Sequence, residues 1–302
     1  MSVLLFPGQG SQIVGMGSEF YNNFELVKKI FKEADEKLSF PISKLILEGP
    51  ERELQLTKNT QPAILTVSYS IFKVLQNEFN FDFNPFKFFA GHSLGEYTAL
   101  ACSNKLSLKD CSQILKKRGE LMHNAVESNT TGMAALIGKD ANNIQSIIDQ
   151  KNINLQIAND NSSIQVVLSG EMNELIKNKD LFLNHGVKKY LILNVSAAFH
   201  SKYMIEAQNK LSKEIDKLNF NENEVKIISN FNADISSDNQ KLKSSLKLQM
   251  SNQVKWTESI KKLEKTGERE IIEIGPNKIL SGLVKRISNN FDIKSINKMS
   301  EL

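Results

Sequence analysis

The chain has 302 residues, and its 38 basic and 34 acidic side chains leave a formal net charge of +4. Hydrophobic residues make up 40% and charged residues 24%, which is typical of a globular protein with a sizeable core, and the mild charge does not imply nucleic-acid binding. The two cysteines form no metal-binding pattern and favour a reducing compartment. The N-terminal segment breaks at Pro7 and Gly8, too early for a signal peptide, and no apolar run is long enough to span a membrane. We therefore expect a cytoplasmic protein.

Strand and helix patterns alternate in the first part of the chain. The predicted elements are strands over 3–6 and 86–90, and helices over 24–38 and 62–79, from about 93, and over 108–126. A glycine-rich loop follows the first strand, where backbone can approach a ligand closely. The helix over 62–79 has Asn59 or Thr60 as its predicted cap and Pro62 near its first turn, where a missing N–H costs little.

The middle of the chain has a different order of predicted strands and helices. Its predicted elements are strands over 133–137, 155–158, 164–168 and 187–193, and helices over 141–150 and 171–185. The polar residues 159–162 are interpreted as a turn between two strands. This β-α-β-β-α-β order is that of a ferredoxin-like unit, which predicts a small domain of its own.

The larger pattern resumes near 197. It predicts helices over 204–218, 241–250, 256–265 and 277–287, strands over 225–229 and 270–274, and a surface loop that leads into a helix in the polar stretch 236–245. Alternating strands and helices indicate a mostly parallel sheet covered by helices. The expected fold is a large α/β-hydrolase-like domain over 1–128 and 197–302, interrupted by an inserted ferredoxin-like α+β domain over 129–196.

A GxSxG pentapeptide at 91–95 lies where an apolar strand ends and a helix begins, which is the context of a nucleophile elbow. Its glycines allow a tight turn that exposes the Ser93 hydroxyl, and the N–H that follows can face an oxyanion at a helix N-terminus. Ser93 and Glu96 also fit a capping box, in which the serine only caps the helix. Because capping does not account for Gly91, the pattern favours a nucleophile.

A nucleophilic serine needs a base, and the chain has four histidines. His92 adjoins the serine and would point elsewhere on a turn, whereas His123 and His185 lie in helices or at their ends. His200 follows an apolar approach at a helix start, where the chain returns to the large domain. Alone it would more often be a structural histidine, but together with the elbow it is the best candidate base.

Arg118 falls on an apolar stripe of its helix, formed by Ile114, Leu115, Leu121 and Met122. An inward-facing guanidinium must be paired, and two interpretations remain open. It forms an internal salt bridge, or it binds a substrate carboxylate through two hydrogen bonds. Gln249 continues an apolar line on a later helix, and three interpretations of its amide remain open. It forms a hydrogen bond to backbone, it helps to hold the base, or it serves only in packing.

Together with several short segments, these residues resemble the malonyl-CoA:acyl carrier protein transacylase family, which includes acyltransferase domains of fatty acid and polyketide synthases. The resemblance runs from about 5 to 287, and although GxSxG alone is a weak signal, the ordered set is specific. The matching segments are FPGQGSQ at 6–12, TQPA at 60–63, GHSLGE at 91–96, Arg118-Gly119, Ala198-Phe199-His200, Gln249, VKW at 254–256 and EIGP at 273–276.

The resemblance implies a role for each of these residues. Ser93 would be the acylated nucleophile and His200 its base, while the backbone N–H groups of Gln9 and Leu94 would form the oxyanion hole. Arg118 would bind the free malonyl carboxylate.

Three further residues complete the implied substrate site, namely Phe199, Gln249 and Asn252. A phenylalanine before the histidine resembles the malonyl-selecting form of the family. The family has no acidic third member of the triad, and backbone carbonyls orient its histidine; the segment at Gln249 and Asn252 is their expected source. Many relatives have proline at the positions of Ala198 and Gln253, so this chain departs from the family pattern in local rigidity only.

The resemblance also implies the reaction and its partners. Malonyl-CoA would be a substrate rather than a cofactor, no metal would be needed, and holo acyl carrier protein would accept the malonyl group for fatty acid biosynthesis. A monomer that binds neither nucleic acid nor membrane is expected.

Two rival functions share parts of this pattern. A serine hydrolase would share the elbow, but the chain has no HGGG loop, and His200 lies well before its end. A non-catalytic carrier-protein scaffold would keep the fold, but it would have no need of Ser93, His200 and Arg118 together.

Overall fold

The computed structural model describes residues 2–127 and 130–302, which form a mixed α/β structure with two separate sheets. The strands are β1 Ser2–Phe6, β2 Phe86–Gly91, β3 Thr131–Ile137, β4 Leu155–Ser162, β5 Gln165–Glu171, β6 Lys189–Ile192, β7 Lys226–Ile228, β8 Ile235–Ser236, β9 Glu270–Ile274 and β10 Asp292–Ile296. The six-stranded central sheet has the order β10-β9-β1-β2-β7-β8 and is parallel except for the β7–β8 pair. The four-stranded sheet is antiparallel, in the order β4-β5-β3-β6.

Helices cover the central sheet and part of the second one. The α-helices are α1 Ser18–Asn23, α2 Glu25–Leu38, α3 Ile42–Glu48, α4 Glu51–Leu54, α5 Thr57–Asn77, α6 Gly95–Cys102, α7 Leu108–His123, α8 Ala141–Gln150, α9 Met172–Lys177, α10 Lys179–Asn184, α11 Ile205–Asp216, α12 Asn239–Leu248, α13 Trp256–Lys265 and α14 Ile279–Ile287. In the described part of the chain, none of them is long and apolar enough to cross a membrane.

The central sheet is buried on both faces, and β1 shows why its sequence is continuously apolar. Side chains alternate between the two faces of a strand. Leu4 and Phe6 therefore join one core cluster and Val3 and Leu5 join another on the opposite face. Because helices cover both faces of such a strand, all of its consecutive side chains are buried and its sequence is continuously hydrophobic. The prediction of a mostly parallel sheet covered by helices is confirmed.

The antiparallel sheet has an apolar core of its own, which includes Leu136, Ile144, Leu168 and Phe182. It touches the central unit through a β-bridge between Asn159 and Val254 and through hydrogen bonds from the Thr257 hydroxyl to Asp160, among other contacts. The second sheet is thus a separate layer that is joined to the first near the start of α13.

Two features of the first half differ from the sequence prediction. The helix predicted over 62–79 begins five residues earlier, so Pro62 lies inside α5 rather than in its first turn. Its cap is the backbone of Leu56, while the predicted cap Thr60 donates its hydroxyl to the Leu54 and Leu56 carbonyls. The short helices α1, α3 and α4 had no counterpart in the prediction.

The middle of the chain differs more. The polar residues 159–162, predicted as a turn, lie within β4, where two bulges accommodate them. Two of them form hydrogen bonds outside their own sheet: Asp160 with the Thr257 hydroxyl and Asn161 with the His92 ring. The single helix predicted over 171–185 is two short helices separated at Asn178, whose side-chain amide donates to the Glu174 carbonyl. The predicted boundary at 128 and 129 lies outside the described residues.

The last part agrees with the prediction apart from one loop and two strands. The stretch 236–245, predicted as a surface loop, contains the end of the two-residue β8 and the first residues of α12, so the predicted loop is wrong from Asn239 onward. β10 forms an outer edge of the central sheet that was not predicted. Three of the five residues of β10 are polar, and only one of its side chains, that of Ile296, is buried.

Candidate active site

Ser93 lies on a sharp turn between β2 and α6, and its backbone φ of +54° is in the left-handed region. Two glycines make this turn possible. A Cβ on Gly91 would lie 2.0 Å from the Gly95 carbonyl group, and a Cβ on Gly95 would lie 2.2 Å from the Phe6 carbonyl oxygen. The sequence thus produces a strained turn, with the hydroxyl at the carboxyl end of a central strand.

The capping-box alternative for Ser93 is not what the structure contains. Helix α6 begins at Gly95 with no side-chain cap. The Ser93 N–H donates instead to Asn230 Oδ1 at 2.6 Å, and Asn230 Nδ2 donates to the Gly91 carbonyl at 2.8 Å. Asn230, which follows β7, therefore binds the elbow on both sides of the turn.

His200 lies beside the serine, with its Nε2 2.8 Å from Ser93 Oγ. Its other ring nitrogen, Nδ1, faces the backbone carbonyl oxygens of Gln249 at 3.0 Å and Asn252 at 3.1 Å. Carbonyl oxygens only accept hydrogen bonds, so Nδ1 carries the proton and Nε2 presents a lone pair to the serine hydroxyl. The expected helix start is displaced, since His200 itself has a φ of +55° and precedes a short 3-10 helix at Lys202–Met204.

The surroundings of His200 keep its ring neutral. The side chain is 4% exposed, and burial, followed by the nearby Arg118 charge, lowers its pKa to about 3. A neutral imidazole with a free Nε2 is the protonation state that accepts a proton from a serine.

The other histidines lie in different surroundings. His92 Nε2 is 2.8 Å from Asn161 Oδ1 in β4, and the ring packs against Trp256 with 5.5 Å between centroids. His185 follows the last residue of α10, and its Nδ1 lies 2.8 Å from the Leu181 carbonyl oxygen in that helix. Of the four histidines, His200 is the one hydrogen-bonded to Ser93.

Arg118 is turned inward on α7, as predicted, and is 1% exposed. Its Nη1 donates to Gln61 Oε1 at 2.7 Å, and its Nη2 donates to Gln249 Oε1 at 2.9 Å and to Ser93 Oγ at 3.1 Å. Within residues 2–127 and 130–302, no carboxylate lies within 4.0 Å of this guanidinium, so its partners are amides and a hydroxyl rather than a salt bridge.

Gln249 lies just past the end of α12, where it is 1% exposed. Its carbonyl oxygen accepts from Arg118, while its Nε2 donates to Glu96 Oε2 at 2.7 Å and to the Ser93 carbonyl at 2.9 Å. Since its own backbone carbonyl also contacts His200, this one residue touches the serine, the histidine and the arginine.

The two predicted oxyanion-hole donors lie on loops that pack together. A Cβ on Gly8, which precedes Gln9, would lie 2.5 Å from the His92 carbonyl oxygen in the elbow. Within the described chain, the backbone N–H groups of Gln9 and Leu94 donate to no protein acceptor. Backbone N–H groups without a protein acceptor are available to a developing oxyanion, and this role of Gln9 and Leu94 stays a prediction.

The remaining predicted site residues lie on the chain that leads to and supports His200. Phe199 is 5% exposed, and its carbonyl accepts from the Ser169 hydroxyl in β5 at 2.6 Å. Asn252 reaches His200 through its backbone carbonyl, while its side chain donates to the Leu248 carbonyl. The binding of substrate by Phe199, Gln249 and Asn252 stays a prediction.

The sequence analysis assigned no functional role to three residues of this network, although it considered Glu96 as part of a helix cap. Gln61 holds the arginine, Asn230 holds the elbow, and Glu96 accepts from Asn230 N–H at 3.0 Å and from Gln249. Burial raises the Glu96 pKa to about 7. A glutamine inside α5 and a carboxylate inside the fully buried α6 were the available signals, since polar groups at buried positions need partners.

Metal-binding side chains are not grouped in the described residues, where no cluster of three or more His, Cys, Asp or Glu could hold an ion.

Comparison with known protein families gives one match over almost the whole chain. The family model described as "Acyl transferase domain" matches residues 3–298. The malonyl CoA-acyl carrier protein transacylase of Bacillus subtilis strain 168 is 41% identical over 287 residues, which cover 94% of this chain and 89% of that protein.

Solved structures agree with this match. The acyl-carrier-protein S-malonyltransferase of Bartonella henselae superposes with a TM-score of 0.95 at 35% identity, covering 99% of this chain and 96% of that one. A malonyl-transacylase solved in complex with a holo type II polyketide synthase acyl carrier protein superposes with a TM-score of 0.94 at 32% identity, covering 99% of this chain and 97% of that one.

Proposed function

Since this chain belongs to the acyl transferase family, we propose that it transfers the malonyl group of malonyl-CoA to the phosphopantetheine thiol of acyl carrier protein, in support of fatty acid biosynthesis. The observation that carries this proposal is the buried guanidinium of Arg118, 3.1 Å from a serine hydroxyl that also bonds a neutral histidine. A nucleophile for the thioester thus adjoins a cation for the free carboxylate.

The first half-reaction acylates Ser93. The hydroxyl oxygen attacks the thioester carbonyl while His200 Nε2 takes the hydroxyl proton, and the oxyanion is stabilised by the N–H groups of Gln9 and Leu94. The tetrahedral intermediate collapses, the carbon–sulfur bond breaks, and the imidazolium returns its proton to coenzyme A, which leaves as the thiol. A malonyl-serine ester remains.

The second half-reaction reverses these steps with a different thiol. The phosphopantetheine thiol of the carrier protein gives its proton to His200 and attacks the ester, and Ser93 leaves with the proton restored. The result is a ping-pong reaction in which the chain's own side chains supply the nucleophile, the base and the carboxylate-binding group, with no cofactor assigned a step.

The geometry of Arg118 supports its role in malonyl selection. Its Nη2 donates to Ser93 Oγ, so the guanidinium lies close to the acyl group of an acyl-serine. A free carboxylate on that acyl group would gain charge-assisted hydrogen bonds from the same cation, whereas an acetyl group would leave it without an anionic partner. Phe199 would limit branching of the acyl chain beside the histidine.

The remaining proposals concern the setting of the enzyme. Two buried free cysteines, Cys102 and Cys111, are consistent with a reducing cytoplasm. We propose a monomer that takes malonyl-CoA and holo carrier protein and has no nucleic-acid or membrane partner. The unit over 129–196 is proposed as an inserted ferredoxin-like domain, supported by its strand order β4-β5-β3-β6 and its own core.

The rest of the chain, 1–128 and 197–302, is proposed as an α/β-hydrolase-like domain. Its support is the serine on a turn after a central parallel strand, with helices on both faces of the sheet.

The experiment that tests the function is intact mass after brief mixing with malonyl-CoA, with wild type beside Ser93→Ala. A malonyl adduct on the wild type alone, discharged by holo carrier protein, is the expected result. An adduct discharged equally fast by water would make the protein a thioesterase instead. An adduct only with another acyl-CoA would keep the chemistry and overturn the malonyl assignment.

A further inference from the structure

Glu96 is a buried carboxylate one turn after the nucleophile, and no step of the proposed reaction uses it. It is 2% exposed. Because burial of a carboxylate is unfavourable unless other groups form hydrogen bonds or ion pairs with it, Glu96 needs such partners. Its Oε2 accepts from the Asn230 backbone N–H at 3.0 Å and from Gln249 Nε2 at 2.7 Å, and burial raises its pKa, an effect that the nearby Ser229 side chain slightly opposes.

The orientation of the Gln249 amide depends on what faces each of its two ends. Arg118 only donates hydrogen bonds, so the amide must present its oxygen there, which it does at 2.9 Å. Glu96 Oε2 accepts at the opposite end, so the amide presents its NH2 group to the carboxylate. A rotated amide would place two donors against the guanidinium and an oxygen against the carboxylate.

Glu96 also reaches the nucleophile by a second route. It accepts from the backbone N–H of Asn230, whose side chain binds the Ser93 N–H and the Gly91 carbonyl. Loss of this route would disturb the serine for every acyl donor alike. Loss of the Gln249 route would disturb the arginine, and hence malonyl donors more than acetyl donors.

We propose that Glu96 is a positioning residue for malonyl selectivity: as a hydrogen-bond acceptor it orients the Gln249 amide, which in turn holds Arg118 toward the acyl group on Ser93. This inference rests on the proposed function. Above its pKa of about 7, Glu96 also carries a negative charge. The acceptor atom and this charge act in opposite directions, because the atom orders the arginine while the charge repels an anionic malonyl group.

Two substitutions separate the atom from the charge. In Glu96→Gln the amide oxygen can take the position of Oε2, and its NH2 group can face the Ser229 hydroxyl, so the acceptor is kept and the charge is lost. Glu96→Ala removes both. The readout is the ratio of the second-order rate constants for acylation of Ser93 by malonyl-CoA and by acetyl-CoA, followed by intact mass.

We expect Glu96→Ala to lower the malonyl-to-acetyl ratio about tenfold, as for loss of one well-placed hydrogen bond to a charged group. Glu96→Gln should keep the ratio within about twofold of the wild type or raise it. In a Gln249→Ala background, Glu96→Ala should change the ratio no further, because the amide through which it acts is absent.

Glu273→Ala is the matched control. Glu273 is equally buried and accepts two backbone N–H groups, from Leu280 at 3.0 Å and Ser281 at 2.7 Å. Within the described chain, neither of these partners is a site residue. Its loss should lower thermal stability while leaving the ratio unchanged. This control identifies effects that come only from removing a buried carboxylate.

An unchanged ratio in folded Glu96→Ala would overturn the inference, as would an equal fall in Glu96→Gln and Glu96→Ala. If Glu96→Ala does not fold, Glu96→Leu takes its place, since it fills a similar volume without an acceptor. The same tenfold fall is expected in it, and an unchanged ratio would overturn the inference. Failure of the proposed function would look different: the wild type would then form no malonyl adduct or would show no preference over acetyl-CoA.

Discussion

The two sheets support the site in different ways. The parallel sheet holds the nucleophile by close backbone packing: Gly91 and Gly95 have no room for a Cβ, and Asn230 binds the turn from the adjacent strand end. The antiparallel sheet contacts the segment before His200 through single side-chain hydrogen bonds. The Ser169 hydroxyl donates to the Phe199 carbonyl, and the Ala198 N–H donates to the Thr131 hydroxyl. Substitutions that add atoms near the parallel sheet should therefore cause steric clashes and large losses of stability and activity. Substitutions in the antiparallel sheet should remove single hydrogen bonds and cause small losses of activity.

The largest expected effect comes from the base itself. His200→Ala removes the acceptor for the serine proton, and we expect acylation by malonyl-CoA to slow about 100- to 10,000-fold, the usual contribution of a general base. His185→Ala, on an exposed position of the antiparallel unit, should leave the rate unchanged. Stopped-flow or quenched-flow acylation measures both, and equal rates in the two variants would remove His200 from the mechanism.

The next effect tests the packing of the elbow. In Gly91→Ala the new Cβ would overlap the Gly95 carbonyl, and we expect a loss of about 3 kcal/mol in the free energy of unfolding together with a large loss of activity. Gly282→Ala is the control, because its Cβ would meet nothing within 4 Å and alanine favours a helix by up to about 1 kcal/mol. Denaturant unfolding separates the pair, and similar stabilities would mean that the turn tolerates a side chain.

A third effect concerns the arginine on the parallel-sheet side. Arg118→Ala removes the buried charge, and we expect malonyl transfer to fall about 10- to 100-fold, while acetyl transfer falls less. Because Arg118 also lowers the His200 pKa, the acid limb of the pH–rate profile for acetyl transfer should move to higher pH. Acylation rates with both donors from pH 4 to 8 measure this. Because the wild-type limb lies near pH 3, an acetyl-transfer rate that falls already between pH 5 and 4 in Arg118→Ala but not in the wild type is the expected result. An unchanged donor preference would exclude a role for Arg118 in binding the malonyl carboxylate.

The smallest effect lies on the antiparallel side. Ser169→Ala removes one buried hydrogen bond to the Phe199 carbonyl, and we expect transfer to slow about fivefold, equivalent to about 1 kcal/mol. Ser146→Ala, an exposed serine on α8, should have no effect. Steady-state transfer to carrier protein decides this, and a loss as large as that of His200→Ala would mean that the base is held much more tightly by this sheet than its contacts indicate.

The nucleophile and the arginine could be predicted because each follows from a local pattern. The elbow needs glycines on both sides of Ser93 after an apolar strand, and Arg118 falls on an apolar helix stripe. The prediction of His200 as the base has little support in the residues around it and depends on the family resemblance. Nothing near His200 in sequence indicates the carbonyls of Gln249 and Asn252 that orient its ring.

What sequence patterns missed depends on contacts between distant parts of the chain. Glu96 and Asn230 are 134 residues apart, and Glu96 and Gln249 are 153 apart, so their pairing has no local signature. The residues 159–162 have turn composition, but Asn161 is held in β4 by His92 of the elbow, a partner 69 positions earlier. Tertiary partners override local propensity at these positions.

The central position of β1 has a consequence for biosynthesis. β1 pairs on one side with β2 and on the other with β9, so Ser2 has its partner Glu270 at a separation of 268 residues. During synthesis, β1 therefore keeps one edge unpaired until β9 has also been made. The backbone groups of that edge must stay protected from other strands for this interval, and Ser93 remains without its base until residue 200 has been added and folded against it.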